Sequence, residues 1–193
     1  MDGFERRTTQ KKNNILQNAL QLFIKFGVRK VSVANIAKKA GVSQVSIYNY
    51  FGSKQQLANE VVIYYIDQEW MKYEQLIHSD LPFPDKIQQI VFDKKRLADE
   101  INENFYTYLM NEYVAGGYIK QIYNEKAVPL FTELLQEGKV RGFVDENLSS
   151  EAMLLYLQML NESMQKKEIY EAILPYTEDI TNLVFHGIMG KKT

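Results

Sequence analysis

The residues best suited to chemistry with another molecule form one short run, Gln44-Val45-Ser46-Ile47-Tyr48-Asn49-Tyr50-Phe51. Ile47 and Phe51 are four apart and apolar, so on a helix they share a face that turns inward. Gln44, Val45, Ser46, Tyr48 and Asn49 are then left outward. Gln44 and Asn49 carry amides that hydrogen-bond base edges, and Val45 can touch a thymine methyl. Ser46 and Tyr48 carry hydroxyls that reach phosphates. Any short amphipathic helix has a polar face that water could satisfy. A merely solvated face usually carries Lys and Glu, whereas this one is uncharged and holds an aromatic. Lys54 follows in the first turn of the next helix. A cation there opposes the helix macrodipole by about 0.3–1 kcal/mol, and a phosphate docked at that terminus would reverse the penalty.

Other chemistries find little material. The 193-residue chain has no cysteine, which excludes disulfides, thiolate metal sites and cysteine nucleophiles. His78 and His186 are its only imidazoles and lie far apart, so a zinc site and a His-based triad are not expected. There is no Gly-rich phosphate loop, so an enzyme is not expected, nor is a cofactor. No apolar run reaches the ~18 residues of a membrane span, and Met1 to Arg7 lack the apolar stretch of a secretion signal. A cytoplasmic protein with no membrane partner is expected. Charge is distributed unevenly: residues 1–54 carry ten Lys/Arg and two acids, a net +8, while residues 55–193 carry a net −9. A basic head on an acidic body suits a polyanionic partner.

The elements that must position the edge are helical. Ile15, Ala19, Leu22, Phe23 and Phe26 repeat with helical spacing over residues 9–26, and Gly27 ends that helix. Ser32 caps a second helix over 33–40, with Val31 and Ile36 placed as a hydrophobic staple. Gly41 falls in a three-residue turn, where positive φ is cheapest for glycine. Ser43 caps a third helix over 44–50, and Ser53 with Gln56 reads as a capping box for a fourth, running to about Ile77. Beyond the break at Leu81-Pro82-Phe83-Pro84, helices are expected to about residue 115, over 119–138 with Pro129 as a kink or a start, from Ser149 or Ser150 to about 165, and over 176–189. Gly138 and Gly142 read as a turn. The two short helices from Ser32 to Phe51 form a helix-turn-helix, whose second helix can lie in a DNA major groove.

Residues 15–58 closely resemble the DNA-binding domain of TetR (tetracycline repressor-like) regulators. The resemblance rests on the run Val33 to Ser43 with its Ala-Gly-Val turn, and on Ile47-Tyr48-Asn49-Tyr50-Phe51-Gly52-Ser53-Lys54. It implies an all-α protein: a three-helix helix-turn-helix domain at 1–52, then a helical effector-binding and dimerisation domain at 53–193. It implies operator contacts from Gln44, Val45, Ser46, Tyr48, Asn49 and Tyr50, a phosphate contact from Lys54, and backbone contacts from Ser32 and Val33. It also implies a homodimer whose second domain controls the spacing of two recognition helices. Asn49 and Val45 stand on a face that varies in such proteins, so the operator sequence does not carry over.

In the body, Trp70, Tyr73, Phe105, Tyr108, Tyr113, Phe131, Tyr156 and Met159, with Met110 and Met153, could line a cavity for an unidentified small-molecule effector. Core packing produces the same spacing. Glu103, Glu112 and Glu162 would favour a cationic effector if one of them faced such a cavity, and a solvated face if not. Met153, Leu154, Leu157, Leu160 and Met164, with Ile180, Leu183, Val184 and Ile188, could pair with a second copy as a four-helix interface or be buried within one chain; the resemblance favours the dimer. The expected function is a ligand-responsive regulator, a repressor of a palindromic operator. Its rival is a dimeric small-molecule-binding or scaffold protein with a degenerate DNA-binding head.

Overall fold

The computed structural model describes residues 3–90, 101–164, 167–176, 178–180 and 182–183. The chain divides into two compact units, Met1–Trp70 with Glu100–Ile119, and Met71–Asp99 with Lys120–Thr193. Every extended element among the described residues is a helix.

The first unit opens with α1 (Gly3–Phe26). It starts six residues ahead of the expected residue 9, because its first turns carry no apolar stripe and periodicity does not register them. α2 (Val33–Ala40) and α3 (Gln44–Phe51) follow. α4 (Lys54–Ile77) begins in this unit. α6 (Glu103–Val114) completes it, together with the start of α7 (Tyr118–Ile122). The core is built from Ile15, Phe23, Ile36, Ile47, Leu57 and Phe105, all buried. Burying each such side chain contributes about 1.5–3 kcal/mol.

In the second unit α5 covers residues 83–90, and the Pro82 carbonyl accepts the N–H groups of Asp85 and Lys86. Pro129 stands at a helix start, in the first turn of α8, with no break in the chain before it. It has no N–H to donate and its ring crowds the carbonyl four residues back, and the helix widens into a π-turn over Tyr123–Ala127 between α7 and α8 (Val128–Val140). Gly138 corrects the expected turn. It lies inside α8, buried, where a Cβ would stand 2.7 Å from Phe83 Cζ and 2.6 Å from Val144 Cγ2. The turn falls at Gly142, with φ +75°. Phe83 stacks on Phe143 at 5.4 Å. Ser149 Oγ caps α9 (Ser150–Met164) by accepting the Ala152 N–H.

After α9 come α10 (Lys167–Ile173) and a 3-10 turn, Leu174–Tyr176, in a stretch mostly outside the helices that periodicity predicts. Within the expected last helix, residues 178–180 and 182–183 are helical. Val184, Ile188 and the rest of that range lie outside the described residues.

Candidate nucleic-acid interface

The helix-turn-helix is assembled by local chemistry. Ser32 Oγ accepts the Asn35 N–H at 3.1 Å, and Asn35 Oδ1 accepts the Ser32 N–H at 3.0 Å, closing a reciprocal cap on α2. Gly41 stands at φ 66°, ψ 35°, and Ala37 O accepts N–H groups from Gly41 and Val42 as the chain reverses. Ser43 Oγ accepts the Ser46 N–H at 3.0 Å and opens α3. Asn14 Nδ2 of α1 donates to the Ala40 carbonyl at 2.8 Å, fastening the end of α2 to the supporting helix. Ahead of α4, Ser53 Oγ accepts the Gln56 N–H at 3.1 Å, which is half of the expected box. The Ser53 N–H donates instead to the Phe51 carbonyl, and the Gln56 side chain folds over Gly52.

Ile47 and Phe51 are buried, forming the seam that their spacing implies. Gln44, Val45, Tyr48 and Asn49 are exposed, Val45 at 66% and Tyr48 at 48%, while Ser46 and Tyr50 are half-buried. An apolar Val and a phenol held this far into solvent cost the chain hydration, and nothing in the packing of α3 requires them there. The edge therefore presents two amides, two hydroxyls and a valine surface with no charge among them. Ser32 is exposed and Val33 buried. Lys54 is half-buried, its Nζ 3.5 Å from the Arg29 carbonyl. Lys38 and Lys39 are exposed in the last turn of α2, where they also complement its dipole. Lys12 Nζ sits 5.8 Å from the Phe51 ring centre.

The eight effector candidates divide between the units. Trp70, Phe105, Tyr108 and Tyr113 belong to the first, and Tyr73, Phe131, Tyr156 and Met159 to the second. Phe105 is fully buried between Phe23, at 6.3 Å between ring centres, and Tyr65, at 5.9 Å. Tyr108 donates to Asn59 Oδ1 at 2.7 Å and accepts from Gln55 Nε2 at 2.6 Å. Gln55 and Asn59 escaped the sequence reading; their only signal was an amide pair four apart on α4. Trp70, Tyr73, Tyr113 and Phe131 are half-buried, while Tyr156 and Met159 are exposed on α9. Glu103 is exposed and Glu112 half-buried. Among the described residues, no group of three or more His, Asp or Glu side chains is arranged to hold a metal ion. None of their helices is long and apolar enough to cross a membrane.

Comparison with known proteins points the same way. Residues 15–61 match the model of the bacterial regulatory proteins, tetR family. The HTH-type transcriptional repressor KstR2 of Rhodococcus jostii is 31% identical over 71 residues, which is 37% of this chain and 35% of that protein. The HTH-type transcriptional regulator YvdT of Bacillus subtilis is 36% identical over 67 residues, 33% of this chain and 34% of that protein. The alignments thus span about a third of the length of these relatives. Among solved structures, a TetR-family transcriptional regulator from Agrobacterium tumefaciens superposes with a TM-score of 0.67 at 16% identity, over 94% of this chain and 99% of that one. One from Mesorhizobium loti gives 0.63 at 21% identity, over 96% and 99%. At those identities the superpositions speak for the fold alone. Residues 15–61 thus carry the DNA-binding domain of the bacterial regulatory proteins of the tetR family, on a chain whose all-helical fold is similar to that of solved TetR-family regulators.

Proposed function

We propose that this chain is a transcriptional repressor that binds a palindromic double-stranded DNA operator as a homodimer and is released by a small-molecule effector. The observation that carries the reading is the uncharged, exposed edge of Gln44, Val45, Tyr48 and Asn49 over the buried seam of Ile47 and Phe51. It stands beside a segment of net charge +8. Gln44 and Asn49 read bases, Val45 meets a thymine methyl, and Ser46, Tyr48 and Tyr50 fix the helix on the duplex. Lys54 and the start of α2 at Ser32 and Val33 meet the DNA backbone. Two copies address half-sites about 34–36 Å apart.

The second copy is accommodated by α9. Leu155 and Met159 are 59% and 58% exposed there, with Tyr156 between them and Leu183 exposed near the end of the described chain. This face lies on nearly the opposite side of α9 from the Met153, Leu154, Leu157 and Leu160 face expected from sequence, of which Met153 is buried within the chain. Tyr156 and Met159 therefore go to the interface rather than to an effector cavity. Of the effector candidates, Trp70 and Tyr113 in the first unit and Tyr73 and Phe131 in the second are half-buried rings, and an apolar or amphipathic molecule suits rings of that kind. An effector shifts the DNA-competent population only by its differential affinity for the two states. A coupling of about 1–3 kcal/mol changes operator affinity about 5–150-fold.

Selection of random oligonucleotides by the purified chain tests this. Enrichment of a palindrome, lost on Tyr48→Ala with Lys54→Ala while the dimer persists, is the expected result. Equal enrichment by the double variant would overturn the assignment.

A further inference from the structure

Residues 101–119 are distant in sequence from the helix-turn-helix, yet they share its compact unit. Their attachment is specific at three levels. At the start of α6 the Asn102 N–H donates to the Ile24 carbonyl at 2.8 Å, and Asn104 Cβ lies 2.7 Å from where a Cβ on Gly27 would stand. Only a glycine admits that approach. One turn on, Phe105 is buried between Phe23 of α1 and Tyr65 of α4. Two phenols then hold α4 directly. Tyr108 donates to Asn59 Oδ1, with Gln55 Nε2 completing a triangle by donating to both partners. Tyr118 donates to Asp67 Oδ1 at 2.6 Å.

Asn59 and Asp67 are eight apart, so the two acceptors stand about two turns apart along α4 and about 80° apart around it. Apolar contact alone lets a helix slide or roll on its neighbour; two directional bonds spaced along its axis do not. The lower bond sits little more than one turn from Lys54 and hence just behind the end of α3.

We infer that Tyr108 and Tyr118 are positioning residues for DNA recognition: through Asn59 and Asp67 they fix the height and rotation of α4 and, by way of its first turn, the presentation of α3. The inference rests on the DNA-binding reading above. It removes Tyr108 from the effector candidates and gives its hydroxyl a structural partner instead.

Tyr→Phe substitution keeps each ring and deletes only the bond. With the selected operator, Y108F and Y118F each weaken binding by about two- to ten-fold. The salt dependence of binding stays that of the wild type, since no charge that meets DNA is lost, and the urea midpoint falls by no more than the loss of one hydrogen bond accounts for. N59A reaches the Tyr108 bond from its other end, and Y108F/N59A is no weaker than the worse single variant, as expected when both remove one interaction. Amide exchange at Leu57–Val61 quickens in Y108F. Wild-type operator affinity in Y108F/Y118F overturns the grip while leaving the DNA reading intact. A wild-type chain that selects no DNA overturns both.

Discussion

Lys86 Nζ lies 2.8 Å from Glu137 Oε2 and 2.7 Å from the Ile77 carbonyl, with the lysine residue only 3% exposed. One ammonium thus ties α5 to α8 and to the last carbonyl of α4. Arg141 Nη2 stands 3.2 Å from Glu137 Oε1, close enough for an ion pair but without an aligned hydrogen bond. Burial of such a pair is weak evidence for stability, because desolvation offsets the Coulomb gain; removal of one partner is a different matter. Lys86→Ala leaves Glu137 with Arg141 alone and takes the donor from the Ile77 carbonyl, and should cost about 1–3 kcal/mol. Replacing both residues, as K86M/E137L, should return the protein to within about 1 kcal/mol of wild type. Urea unfolding with a common slope measures both. A K86A midpoint equal to that of the double variant would mean the pair is solvated and unimportant.

Gly138 sets two opposing effects against each other. Alanine in a helix interior is worth about 1 kcal/mol over glycine. At this position the added methyl would meet the Phe83 ring at 2.7 Å and Val144 at 2.6 Å. Phe83 is buried and stacked on Phe143, so it has little room to yield. Overpacking of this kind costs about 1–3 kcal/mol, so the clash wins. G138A should lower the thermal midpoint, whereas the propensity gain alone would raise it.

Much of the candidate site was legible because its determinants are local. Ser32 and Asn35 are three apart, Ile47 and Phe51 four apart, and the Ala37-to-Val42 reversal needs one positive φ, which Gly41 supplies. Each is a matter of spacing within two turns. The rest depends on pairs distant in sequence. Tyr108 meets Asn59 across 49 positions and Lys86 meets Glu137 across 51. Periodicity assigns each of these side chains to a face but says nothing about what waits opposite. For that reason the bonds from Tyr108 to Asn59 and Gln55 were not foreseeable, and Gly138 read as a turn, although it is a glycine that admits a phenyl ring. The helix at 167–173 was missed for a related reason: Lys167-Glu168-Ile169-Tyr170-Glu171-Ala172-Ile173 is too short to show a stripe.

The Tyr118 phenol has its pKa raised from 10.0 to about 12, first by the hydrogen bond it donates to Asp67, then by burial, then by the charge of Asp67. A raised pKa on a phenol means the fold favours the protonated, neutral form. The stabilisation is therefore complete below pH 10, the unfolded value, and is lost as pH climbs toward 12. The D67N variant removes the carboxylate acceptor and its charge. Its Tyr118 should titrate nearer the ordinary tyrosine value, and its stability should fall less between those limits. Tyrosinate absorbance with Y118F as the blank isolates this one group. Coincident titrations in wild type and D67N would show that the bond does not govern the phenol.

Lys54 offers the sharpest separation of a phosphate contact from a base contact. Its ammonium rests 3.5 Å from a neutral carbonyl, that of Arg29, and heads the first turn of α4. Exchanging that long contact for a phosphate places an anion against a cation at a helix N-terminus, so both the charge and the dipole favour it. If each protomer neutralises three or four phosphates, log affinity falls with log salt at a slope of about −5 to −7. Lys54→Gln deletes one phosphate contact per protomer, two per dimer, and should flatten the slope by about 1.8. The loss should be uniform across operator sequences. Asn49→Ala should do the reverse, leaving the slope unchanged while relaxing the preference at one base pair of each half-site, at about 1–3 kcal/mol. Measuring affinity against salt for both variants on the selected operator and on one with that base pair changed tells the two roles apart. A K54Q slope identical to wild type would remove Lys54 from the phosphate contacts, whatever its effect on affinity.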